Sequence, residues 1–149
     1  MITSCGSLYE LTVDENSPAD QNAKIFFKSW QKSGWFRLLA WNDIEINNQL
    51  YGNKKMWGDG DEVVLTVPAG IGKVTFDVEF RTNDSSYISR DVDVQYNFEA
   101  GKSYQIEGRI VESTTLILKI YTARMYVRLY DITSAKRFLE EKELRTSHF

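Results

Sequence analysis

Histidine and cysteine are almost missing from this chain of 149 residues, which holds one of each, His148 and Cys5. A single cysteine forbids an intrachain disulfide and a cysteine-rich zinc site. A single histidine beside the last residue leaves a Ser-His-Asp or Cys-His arrangement without an internal imidazole that a third group can orient. Proline occurs only as Pro18 and Pro68, which excludes collagen-like or proline-rich low complexity. Long apolar runs are also missing. The most apolar segment, 116–121, is interrupted by Lys119, so no spanning helix is expected. A net charge of -3 is too mild for a nucleic-acid footprint. What remains is ordinary: 42% hydrophobic and 26% charged residues, enough for one folded domain and too few for two.

Period-2 alternation runs through most of the chain and predicts strands. Segments 23–30, 35–41, 44–47 and 62–67 are short and separated by Gly, Asn and Asp. Val74, Phe76, Val78 and Phe80 fall on one face, with Thr75, Asp77 and Glu79 on the other. Val92, Val94, Tyr96 and Phe98 repeat the device against Asp91, Asp93 and Gln95, and Tyr104, Ile106, Gly108 and Ile110 follow. Short turns at 68–70, 83–86 and 100–102 predict antiparallel pairing of consecutive strands. Segment 115–132 is too long for one flat strand, so a bend or hairpin is expected near Thr122-Ala123. Ser134 is a good N-cap, and 134–144 carries Lys, Glu and Leu that favour helix. The expected fold is all-β, an antiparallel β-sandwich of immunoglobulin or prealbumin-like kind, with one short C-terminal α-helix at 134–144. Residues 1–22 are read as an N-terminal tether or lead-in, and 23–149 as the single domain.

The segment Ile2-Thr3-Ser4-Cys5 resembles the lipobox of bacterial lipoproteins, in which an aliphatic and two small residues precede an acylated cysteine. The charged and apolar segments that precede a lipobox in a signal peptide do not appear before it. Two readings stay open: Cys5 as a lipidation site followed by a polar tether, or a free thiol in a frayed terminus. The first implies peripheral membrane attachment and a location in the bacterial cell envelope, the second leaves a cytoplasmic location open.

Three further segments carry a family resemblance: 42–48 (Asn-Asp-Ile-Glu-Ile-Asn-Asn), 67–76 with its Pro68-Ala69-Gly70 turn, and 98–106 with Ala100-Gly101-Lys102 before Tyr104. They resemble the PEGA-like and DUF2846-like bacterial β-sandwich modules over about residues 35–112. The chain departs from those families at 57–61, where Trp-Gly-Asp-Gly-Asp stands in place of their usual segment. The resemblance implies a small extracytoplasmic sandwich and brings no catalytic residue with it.

Several clusters can carry chemistry. Asp77, Glu79, Asp91 and Asp93 would share an outer sheet face, where paired carboxylates serve glycosidases, but alternation alone places acids there and a solvated face is the simpler reading. Asp59, Asp61 and Glu62 lack the spacing of a calcium loop, so a turn is expected and no metal or cofactor. Segment 59–99 holds nine acids against three bases, and 113–137 five bases against one acid. Arg124, Tyr126, Arg128 and Tyr130 would form a basic, aromatic face on one strand, with Met125, Val127 and Leu129 inside; cations stacking on tyrosines weigh more than a surface for a single-stranded nucleic acid or an acidic partner. Trp30, Trp35, Trp41 and Trp57 all lie in the first 57 residues, either filling the core or forming a glycan- or protein-binding patch beside the 47–61 loop. The expected function is a non-catalytic envelope module for protein-protein interaction or spacing, with a glycan- or other ligand-binding domain as the alternative.

Overall fold

A computed structural model describes residues 8–28, 34–46, 62–81, 86–115, 117, 120–145 and 147–148. The elements are β1 (Leu8–Thr12), a one-turn 3-10 helix (Ala19–Gln21), β2 (Asn22–Lys28), β3 (Gly34–Trp41), β4 (Ile44–Glu45), β5 (Glu62–Pro68), β6 (Gly70–Arg81), β7 (Ser86–Phe98), β8 (Ser103–Thr115), β9 (Ile120–Asp131), β10 (Arg137–Leu144) and β11 (Ser147–His148). Two sheets form, one ordered β1-β5-β2-β8-β9-β10 and the other β11-β7-β6-β3-β4. The pairs β1 with β5 and β2 with β8 are parallel, and the rest are antiparallel. The chain is therefore all-β and sandwich-like. β1 joins the six-stranded sheet from within the stretch read as a lead-in.

The alternation that predicted strands also sets the core. Val74, Phe76, Val78 and Phe80 of β6 and Val92, Val94 and Phe98 of β7 are buried, facing Ile25, Phe27, Leu65, Tyr104, Ile106, Val127 and Leu129 of the other sheet. Phe27, Phe36 and Phe76 meet edge to face at 5.5 to 5.8 Å, so rings from both sheets interlock. Each such side chain stabilises the fold by about 1.5–3 kcal/mol through burial.

Three expectations are corrected. Segment 134–144 is not a helix: Arg137–Leu144 is the edge strand β10, paired with β9. Its Glu, Lys and Leu favour helix locally, but pairing satisfies the open edge of β9, and tertiary context outweighs propensity of a few tenths of a kcal/mol per residue. The break in 115–132 falls between Thr115 and Ile120, not at Thr122-Ala123, which lie inside β9 opposite Ser113 and Glu112. Finally, the turns at 68–70 and 100–102 do not join paired strands. β5 and β6 belong to different sheets, as do β7 and β8, so each turn is an arch across the core. Sheets about 10 Å apart are spanned by a few extended residues, and the arches let successive apolar faces oppose one another. Gly70 (φ 123°) and Gly101 (φ 76°) adopt backbone conformations that L side chains rarely reach.

The β9–β10 turn is held by Asp131. Its Oδ1 accepts from the Thr133 amide at 2.9 Å and the Thr133 hydroxyl at 2.7 Å, while Lys102 and Arg137 lie near Oδ2. These bonds, the Thr133 hydroxyl first, hold the Asp131 carboxyl below its ordinary value. A folded value below the unfolded one means stability present above about pH 4 and lost as the pH falls through the depressed folded value. Thr133→Val is expected to lower the urea midpoint at pH 7 and to shrink the difference between midpoints at pH 7 and pH 3. An unchanged acid limb would remove Asp131 from the account.

Candidate functional site

The outer face of β8, β9 and β10 is the part of the surface where the sequence-predicted residues come together. Met125, Val127 and Leu129 of β9 are buried, so the alternate residues Arg124, Tyr126, Arg128 and Tyr130 share the opposite face, as expected. Register sets their neighbours. Arg128 lies between Glu107 of β8 and Glu141 of β10, and Tyr130 lies between Gln105 and Phe138.

Arg124, Arg128 and Lys136 on this face are matched to acids, and the last two to rings as well. Arg128 Nε donates to Glu141 Oε2 at 2.5 Å, and its guanidinium carbon lies 5.8 Å from the Phe138 ring centre. The Tyr130 hydroxyl first, and then Glu141, hold the Arg128 guanidinium above its ordinary value. Lys136 pairs with Glu107 and places its ammonium 4.4 Å over the Tyr130 ring. Gln105 donates to the same Glu107 carboxylate at 2.9 Å. Arg124 faces Glu143 at 4.0 Å, the loosest of the pairs. Between them a surface hollow of about 480 Å³ is lined by Glu107, Arg109, Arg128, Tyr130 and Lys136. Phe138 meets Tyr130 edge to face at 5.9 Å while remaining 54% exposed. Such an arrangement can hold a partner by ring contact and by exchange of ion pairs.

Glu107, Lys136, Phe138 and Glu141 were missed by sequence reading. Reading 134–144 as helix hid three of them, because only strand pairing brings Phe138 and Glu141 beside β9.

The tryptophans divide differently. Register shifts at Leu39 in the β3–β6 pairing, a bulge that puts Trp41 on the face of Phe36 and Leu38. Trp41 is 4% exposed, packs on Phe98 at 5.9 Å and belongs to the core, which corrects its candidacy as a surface contact. Trp35 lies in β3 opposite Glu79. Trp30, Trp57, Cys5 and the 47–61 loop lie outside the described residues.

Of the four outer carboxylates, those of β6 depart from the solvated face expected, whereas Asp91 of β7 is exposed and Asp93 half-buried. Asp77 is 4% exposed and Glu79 is also buried. Arg37 donates to Asp77 Oδ2 through Nε at 3.1 Å and Nη2 at 2.6 Å, and the Asp91 amide donates to Oδ1 at 2.9 Å. Asp91 itself has φ 53° at a bulge between β6 and β7, and Asp93 accepts from the Thr75 hydroxyl at 2.6 Å. The physical reason is the bulge: two residues of β7 oppose Asp77, and its carboxylate takes up the displaced amide. Among the described residues no three His, Cys, Asp or Glu side chains are placed to hold a metal ion, and no helix is long and apolar enough to cross a membrane. Compared with protein-family models, with curated proteins and with solved structures, the chain matches none.

Proposed function

We propose that this chain is a non-catalytic module of the bacterial cell envelope, lipid-anchored through Cys5, that binds a protein partner through the outer face of β8, β9 and β10. The observation that carries the reading is Phe138, a half-exposed ring seated on Tyr130 inside a border of alternating cations and carboxylates. An apolar centre with a polar rim is the anatomy of protein interfaces, and aromatic and arginine side chains carry most of their energy. The buried, bonded Asp77 favours a binding role over acid–base work at β6, since its carboxylate is committed to Arg37 and the Asp91 amide.

The finer fold assignment, immunoglobulin or prealbumin-like and akin to PEGA-like modules, belongs to the same proposal. It is supported by Tyr104, 1% exposed just after the arch between sheets, whose hydroxyl oxygen accepts from the Glu99 amide at 2.9 Å. A buried tyrosine bonded to backbone a few residues upstream is a corner device of immunoglobulin-type sandwiches.

A photo-crosslinking residue placed at Phe138 in producing cells is expected to trap one adduct of defined mass. The same residue at Ile44, exposed on the other sheet, is expected to trap none. Arg128→Glu should reduce the Phe138 adduct about tenfold, since it breaks the Glu141 pair and reverses the rim charge. Equal trapping at both positions would sink the reading. Labelling with an alkyne fatty acid, lost in Cys5→Ser, tests the anchor separately.

A further inference from the structure

Six strands of one sheet face five of the other, and among the described residues the place opposite β10 is filled only by two-residue β11 against Tyr87 and Ile88. Beyond it, no described strand pairs with the edge of β7. Lys73 uses its own amide and carbonyl on Asn42, both at 2.8 Å, so it forms a non-hydrogen-bonded pair with Gln95 across β6 and β7. The Gln95 amide and carbonyl therefore point away from β6, and those of Asp93 and Asn97 point the same way. Lys142, from β10, donates its ammonium to the Asp93 carbonyl at 3.0 Å.

The opening beside this edge has a volume of about 500 Å³ and an apolar floor of Val94, Val127 and Leu129, is lined also by Lys73, and is flanked by Glu140 and Lys142. These two charges sit opposite Leu129 and Val127 in register, at positions where alternation calls for apolar residues. Inward-pointing charge guards an exposed edge against indiscriminate pairing. On the outer side, Asp43, Glu45, Asp91 and Asp93 line a second hollow of about 400 Å³ with Thr75. Lys73, which lines the first opening, is bound to Asp43 at 2.8 Å.

We infer that the β7 edge from Asp93 to Asn97 accepts an extended segment of a partner polypeptide, with basic side chains at alternate positions and aliphatic ones between them. Main-chain bonds to Asp93, Gln95 and Asn97 supply affinity, the aliphatic side chains enter the apolar opening, and the basic ones meet the carboxylates outside. β11 does not fill the place: it runs antiparallel from Ser147 opposite Ile88, so the residues in register with Asp93 to Asn97 are those of β10, already paired to β9. Lys142 is the removable guard. This site is separate from the outer face of β8 to β10.

The test is fluorescence polarisation of the full chain with a labelled Lys-Val-Lys-Val-Lys-Val-Lys peptide. Controls are the same peptide with Glu for Lys and one N-methylated on alternate amides. Binding of the basic peptide alone, with slowed amide exchange at Gln95 and Asn97, is the expected result. Gln95→Pro removes only an edge-facing donor and should weaken binding about tenfold or more, with an unchanged circular dichroism spectrum. Asp91→Asn with Asp93→Asn should weaken it at low salt, and Lys142→Met should tighten it several-fold. No binding at about 1 mM protein, or equal binding of the methylated peptide, overturns the inference. Sedimentation showing a dimer that Gln95→Pro dissolves assigns the edge to a second copy and overturns it too.

Discussion

Gly72→Ala is expected to destabilise the sandwich by about 2–3 kcal/mol, although it adds a single methyl group. Gly72 lies on the inner face of β6, two residues before Val74, and the Trp41 indole lies directly over it. A β-carbon there would sit well inside contact distance of two indole carbons. The indole has little room to move, because it is buried and also packs on Phe98. An aromatic ring laid over a bare glycine on a neighbouring strand covers backbone that would otherwise be open, so the two residues are one packing unit. For a chain of this length the loss corresponds to a fall in melting temperature of roughly 6–12 °C. Trp41→Phe alone creates a void and also costs stability, yet in the Gly72→Ala background it should restore part of the loss. A double-mutant cycle with no coupling would show that the ring and the glycine do not share the space. Gly108→Ala tests the same logic more gently, with a β-carbon 2.6 Å from the end of the Phe80 ring.

The same pair shows where sequence reading runs out. Alternation in 74–80 and 92–98 marked the buried faces of β6 and β7 directly, because a two-residue period has one solution when one side is apolar. Trp41 was ambiguous because its face depends on the bulge at Leu39, and a one-residue insertion reverses every later side chain. Turns at 68–70 and 100–102 were legible as turns. Their role as arches was not, since Gly and Pro chemistry sets local φ and leaves open which sheet the next strand joins. At the outer face, Arg124, Tyr126, Arg128 and Tyr130 were found together because they alternate along one strand. Glu107, Phe138 and Glu141 come from strands paired on either side, and pairing is a property of the whole fold. In β10 the local signal even pointed elsewhere: a helix-forming composition became a strand because β9 offered an unpaired edge.

Asp77→Ala is expected to cost about 3 kcal/mol, the largest effect of any single charge removal on the five-stranded sheet. The substitution strands two donors at once, the Arg37 guanidinium and the Asp91 amide, both bound to this one nearly buried carboxylate. Asp77→Asn keeps an oxygen for the amide and loses the ionic pairing, so about half that loss is expected; Arg37 is 31% exposed and water screens part of what it gives up. Arg37→Leu leaves the carboxylate buried and unpaired, whereas Arg37→Leu with Asp77→Leu removes both charges and should cost less than the sum of the single changes. The residual deficit of the double variant then reports the Asp91 amide left without its acceptor. Asp91→Gly relaxes the positive φ while keeping the amide, so it should be neutral or slightly stabilising, opposite in sign to the changes at Asp77. Urea unfolding of these five variants and of Asp77→Leu alone measures each arm. Were Asp77→Asn to melt like the unaltered chain, the bulge would hold without its carboxylate, and an acid–base role for that side chain would regain its force.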